Sequence, residues 1–196
     1  MNNREIFRPR TNLNLAVFGV VICGLFTWSN FYDASTASKI ASSLVALFAL
    51  ISIYIYLVRP KIVFGDEGMI IVNPLHEYTI GWGDVLMIDT RWALTVETTE
   101  FKVYAWAATA SGRKRRSIHH TEVQGLDIDQ GGSIRTADSP FTDSGAAAFR
   151  LRAKLKKFQE GKIEQSLATS KQSQFQLFSL ALIALGAAIA ITLLGH

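Results

Sequence analysis

A chain of 196 residues with 49% hydrophobic side chains, only 18% charged ones and a net charge of +4 has room for one domain and some additional segments. Soluble globular chains carry about 25% charged residues, so the apolar excess must be concentrated. A purely soluble enzyme, a disordered chain and a transporter of ordinary size are excluded. The single cysteine, Cys23, rules out an internal disulfide and a thiolate metal cluster.

After a leader of residues 1–10 that carries Arg4, Arg8 and Arg10, three stretches contain no charge: residues 11–32, 40–58 and 172–195. Each is near the roughly 20 residues that cross a bilayer as a helix. The leader, the first stretch and the small residues Ser35 and Ala37 have the layout of a secretory signal, but the second stretch follows at once, which favours a signal anchor. Trp28, Phe31 and Tyr32, and then Tyr54 and Tyr56, are placed like interfacial aromatic belts.

Lysine and arginine set the expected orientation. Residues 29–39 offer only Lys39, Arg59 and Lys61 follow the second stretch, and Lys156, Lys157, Lys162 and Lys171 precede the third. The positive-inside rule predicts a multi-pass protein of the inner (plasma) membrane. Its N-terminus and central domain are cytoplasmic, and its 29–39 hairpin and C-terminus lie outside. No span holds an ionisable residue, which argues against an ion pathway. Ser42, Ala46 and Ala49, and then Ala184, Gly186, Ala188 and Ala190, predict close helix packing, either among the three spans or onto another membrane protein.

Pro60 ends the second helix. Short β-branched and aromatic runs at 62–64, 69–72, 78–80, 85–88, 93–96 and 101–106 predict antiparallel strands, divided by Gly65-Asp66-Glu67-Gly68, Asn73-Pro74 and Gly81-Trp82-Gly83-Asp84. A further strand is expected within 117–123, inside a long polar loop at 107–143. Ala148, Leu151, Leu155 and Phe158 then predict a helix capped by Ser144 and stopped by Gly161. Residues 161–171 read as a polar tether.

This order of elements resembles the bacterial pleckstrin-homology (PH-like) domain over residues 59–158, with Asn73-Pro74-Leu75 and Trp82-Gly83-Asp84-Val85 as its sharpest motifs. The particular likeness is to actinobacterial membrane proteins of the low-molecular-weight antigen type. It implies an α+β fold, a bent antiparallel β-barrel closed by one C-terminal helix, within a domain of residues 59–160 joined to three transmembrane helices.

Phosphoinositide-binding PH domains use basic residues around the first hairpin loop, whereas here that loop is acidic and residues 59–107 carry a net charge of −3. A phosphate pocket there would set like charges beside its ligand. Positive charge gathers instead at Arg113, Lys114, Arg115 and Arg116, and along the last helix at Arg150, Arg152, Lys154, Lys156 and Lys157. Arg150, Lys154 and Lys157 are expected on one helical face, opposite Leu151, Leu155 and Phe158. That face suits solvent, anionic lipid or an acidic partner. No aromatic platform accompanies it, so nucleic acid is not an expected partner.

His119-His120 point to opposite sides of an extended chain, and Asp127, Asp129 and Asp138 lack the acidic fifth ligand and flanking helices of a calcium loop. No metal or cofactor is expected. With no phosphate loop or nucleophile elbow either, the chain reads as a non-enzymatic interaction protein. The expected role is an accessory or assembly subunit of a larger membrane complex, such as a respiratory one. The alternative is a module that senses anionic lipid through its basic helix and loop.

Overall fold

The computed structural model describes residues 4–29, 35–90, 93–109, 143–164 and 167–194. These form strands β1 (Glu5–Phe7), β2 (Lys61–Phe64), β3 (Met69–Val72), β4 (His76–Ile80), β5 (Val85–Asp89), β6 (Ala93–Thr98), β7 (Lys102–Thr109) and β8 (Ser170–Ser173). The helices are α1 (Arg10–Ser29), α2 (Thr36–Ile53), α3 (Asp143–Gln159) and α4 (Gln176–Leu194). The fold is mixed α+β, with antiparallel pairing in both sheets. One sheet has the strand order β1-β2-β3-β4-β8 and the other β5-β6-β7. The chain divides into two compact units. One takes the described parts of Met1–Arg8, Lys61–Ile71 and Tyr78–Ser170; the other takes those of Pro9–Pro60, Val72–Glu77 and Lys171–His196.

In the first unit, strand alternation sorts the side chains. β2 buries Ile62 and Phe64 between the half-buried Lys61 and Val63, and β7 buries Val103, Ala105 and Ala107 between the exposed Lys102, Tyr104 and Trp106. Their inward faces join Met69, Ile71, Ile80, Trp82, Leu94 and Val96 in one core. Thr98 closes the β6–β7 hairpin: its backbone N–H and its hydroxyl both donate to the Phe101 carbonyl, at 2.9 and 2.8 Å.

Helix α3 covers β5, β6 and β7 with Ala147, Ala148 and Leu151 fully buried, and with Leu155 and Phe158 partly so. It starts at Asp143, one residue ahead of the expected cap. Its end is a Schellman motif. Gly161 has φ +68°, its N–H donates to the Phe158 carbonyl, and the Lys162 N–H donates to the Lys157 carbonyl, both at 2.9 Å.

Two strands were not expected from sequence. The leader supplies β1, which pairs antiparallel with β2 in the register Glu5↔Phe64, Ile6↔Val63 and Phe7↔Ile62. The segment expected to be a tether runs into β8. It is held before that, because the Leu167 N–H donates to the Glu67 carbonyl at 3.2 Å. The expected strand at 117–123 lies outside the described residues.

In the second unit, two helices among the described residues are long and apolar enough to cross a bilayer, Thr11–Ser29 and Thr36–Val58; Gln176–Thr192 is a shorter apolar helix. The last turn of the second, Tyr54–Val58, widens to a π-helix closed by the Arg59 N–H on the Tyr54 carbonyl at 2.8 Å. Pro60, which has no N–H, ends it.

α2 packs against both α1 and α4. Its buried small residues are Ala41, Ser42 and Ala46, and those of α4 are Ala181, Ala184 and Ala188. Ser42, Ala46, Ala184 and Ala188 lie on buried faces, and Ala49 is half-buried. Gly186 and Ala190 are exposed, so of the two expected packing partners only another membrane protein remains open to them. Each is two positions past Ala184 or Ala188, about 200° around the helix. Gly19 of α1 faces α2, where a Cβ would stand 2.8 Å from Ile53 Cδ1, the movable tip of that side chain.

Candidate functional site

The acidic turn between β2 and β3 is tied to several elements of the first unit. The Gly65 N–H donates to the Gly68 carbonyl at 3.0 Å, and the buried Trp82 Nε1–H donates to the Gly65 carbonyl at 3.1 Å. Gly68 has φ +147°, and a Cβ there would lie 2.6 Å from the Ile80 carbonyl oxygen, so only glycine fits. The turn's two carboxylates each meet a cation. Asp66 Oδ1 accepts from Lys154 Nζ of α3 at 2.6 Å, and Glu67 Oε2 accepts from Arg4 Nη2 at 2.6 Å. The hydrogen bond and charge of Arg4 hold the Glu67 carboxyl below the usual carboxylate range.

This arrangement revises the basic face expected on α3. Lys154 is only 7% exposed and is committed to Asp66. At about 100° per residue it lies next to Phe158 and Leu151 rather than opposite them, so packing of that apolar stripe carries it inward. Arg150 is exposed and pairs with Glu5 at 3.5 Å, while Lys157 is exposed. Arg152 reaches β5, where its Nη2 donates to the Ile88 carbonyl at 2.9 Å. Arg150, Lys154 and Lys157 thus do not form one open cationic surface. Arg113, Lys114, Arg115 and Arg116 lie outside the described residues, as do His119, His120, Asp127, Asp129 and Asp138.

The second unit carries a polar clasp that sequence reasoning missed. The buried Arg59, just past the π turn, donates from Nη1 to the Pro74 carbonyl at 2.5 Å and from Nη2 to Gln174 Oε1. Gln174 passes the contact on, its Nε2 donating to Glu77 Oε2 at 3.2 Å and its N–H to the Leu75 carbonyl at 2.8 Å. The His76 ring meets Phe175 edge-on at 5.5 Å. A buried guanidinium is tolerated when its donors are satisfied; here two strong dipoles satisfy them and a carboxylate sits one residue further along. The clasp holds the start of α4 to the end of α2. No local sequence signal marks it, because its partners come from 15 and 115 residues away.

Along α1 and α2, Val20, Cys23, Gly24, Thr27, Trp28, Ala46 and Leu50 line an apolar groove of about 690 Å³. Small side chains at Cys23, Gly24 and Ala46 create it.

Searches against protein-family profiles, curated proteins and solved structures return no match for this chain.

Proposed function

We propose that this chain is a membrane-anchored, non-catalytic interaction protein whose PH-like domain contacts other proteins at the membrane, as an accessory or assembly subunit of a larger actinobacterial membrane complex. A respiratory assembly is the form we propose for that complex. One observation carries the reading: the first unit leaves Leu86, Met87, Tyr104 and Trp106 of β5 and β7 between 48% and 63% exposed. Large aliphatic and aromatic side chains left exposed on a sheet suit a protein-binding surface. The PH-like reading is supported by two antiparallel sheets followed by a helix packed on the second of them. The lipid-sensing alternative loses Lys154 to Asp66.

The proposed topology has three spans with the β-strand unit on the cytoplasmic side. α1 packs along α2 and against the π turn that ends it, so those helices cross as a hairpin and return. The bond from Arg59 to Gln174 brings the start of α4 to the same level. α4 has 19 residues, a rise of about 28 Å, near the hydrocarbon thickness. The distribution of lysine and arginine then selects the cytoplasmic side.

Purification of the full chain in mild detergent, with identification of co-eluting proteins, tests the function. A defined partner should co-elute with the wild type and be lost from Tyr104→Ser/Trp106→Ser. A lone monomer under several gentle conditions, or a partner indifferent to these changes, counts against it. Impermeant thiol labelling in a Cys23→Ser background tests the topology: a cysteine at Ser35 should react in intact cells, and one at Ser111 should not.

A further inference from the structure

The β1–β2 register sets two cations side by side where the chain approaches α1 and where it leaves α2. Phe7 is paired with Ile62, so the next step outward places Arg8 beside Lys61. Directly opposed residues of an antiparallel pair point to the same face. Ile62 and Phe7 point into the core, which turns Arg8 and Lys61 outward with Ile6 and Val63. Arg8 is exposed and Lys61 half-buried, and among the described residues neither makes an ion pair or a side-chain hydrogen bond. Like charges facing each other across a strand pair are destabilising unless an anion joins them. Three other cations of this unit already have anions: Arg4 has Glu67, Arg150 has Glu5 and Lys154 has Asp66.

The position of the pair in the chain identifies the anion. Arg8 stands two residues before α1, and Lys61 three residues after the apolar segment ending at Val58. The tyrosines Tyr54 and Tyr56 that end that segment are exposed, as interfacial aromatics are. We infer that Arg8 and Lys61 together bind the phosphate of one acidic phospholipid at the cytoplasmic leaflet. This inference rests on the membrane-spanning reading of α1 and α2. It moves lipid contact from α3 to the strands that flank the spans. Cations near an anionic leaflet gain about 1 kcal/mol each, about fivefold in affinity per residue and about 25-fold for the pair.

The test is native mass spectrometry of the full chain in mild detergent, with phosphatidylglycerol or phosphatidylcholine added. The wild type should retain one more phosphatidylglycerol than phosphatidylcholine. Arg8→Gln/Lys61→Gln should lose that lipid with about a 25-fold weaker affinity, Arg8→Lys/Lys61→Arg should keep it, and Arg150→Gln/Lys157→Gln should not matter. Retention unchanged in the glutamine pair, or lost only from the α3 variant, overturns the assignment. So does displacement of the lipid by millimolar glycerol phosphate, which would make the site one for soluble phosphate. Hydrogen exchange of the β1 and β2 amides separates loss of the site from loss of the strand pair: lipid loss that accompanies loss of that protection overturns the inference. Release of the chain from membranes by alkaline carbonate would instead defeat the spanning reading, a result independent of the lipid comparison.

Discussion

Removing either partner of the Lys154–Asp66 pair should have unequal consequences, and the inequality follows from their burial. The Lys154 side chain is 9% exposed and that of Asp66 is 39% exposed, at a separation of 2.6 Å. Asp66→Ala strands a nearly buried ammonium. Breaking a fully buried pair costs about 3–5 kcal/mol. Water already screens Asp66, and the four-carbon stem of lysine lets its charge swing outward, so about 1–2.5 kcal/mol is expected here. Lys154→Met keeps the stem packed and frees a carboxylate that already touches water, so its effect should stay within about 1 kcal/mol of zero. Urea unfolding of the detergent-solubilised full chain, read from tryptophan fluorescence, measures both changes, and the double variant gives their coupling. If Lys154→Met costs as much as Asp66→Ala, the stranded charge is not the cause and the reasoning fails. Lys154→Met should also leave retained lipid unchanged, since Lys154 does not face an open surface.

The remaining predictions concern backbone space and titration. Gly68→Ala should cost at least about 2 kcal/mol in the same urea assay, because its φ of +147° strains any other residue and the new Cβ meets the Ile80 carbonyl. Gly161→Ala, at φ +68° with no neighbouring atom within 4 Å, should cost about 1 kcal/mol. In the helical unit, Gly19→Leu should lower the thermal midpoint in detergent, because its Cβ meets Ile53, whereas Gly24→Leu should enter the open groove with little effect. Glu67 has its folded pKa lowered by Arg4, so its contribution is present above the unfolded carboxylate pKa and lost as the pH falls through the folded one. Hydrogen exchange of the β1 amides should therefore lose protection on acidification below the ordinary carboxylate range, and Arg4→Gln should remove that dependence.

Much of the fold is legible in the residues because its signals are local. Alternation in Lys61–Phe64 and in Lys102–Thr109, the apolar stripe through Ala148, Leu151 and Leu155, and the uncharged runs of α1 and α2 all register on a short window of chain. Gly161 as a helix stop was likewise a local matter of left-handed backbone. The strands that escaped, Glu5-Ile6-Phe7 and Ser170-Lys171-Gln172-Ser173, are three or four residues long and lack apolar alternation, so pairing with a distant neighbour alone makes them strands. The candidate sites divide in the same way. Composition located the acidic turn and the basic helix, but the sequence could not say that Lys154 and Arg4 would be spent on Asp66 and Glu67, contacts 88 and 63 residues apart in the chain. Nor could it place Gln174 against Arg59, 115 residues away, or Arg8 beside Lys61. Periodicity along the chain determines which face of an element is apolar; only the meeting of elements decides which charges are neutralised inside the protein and which are left for a partner.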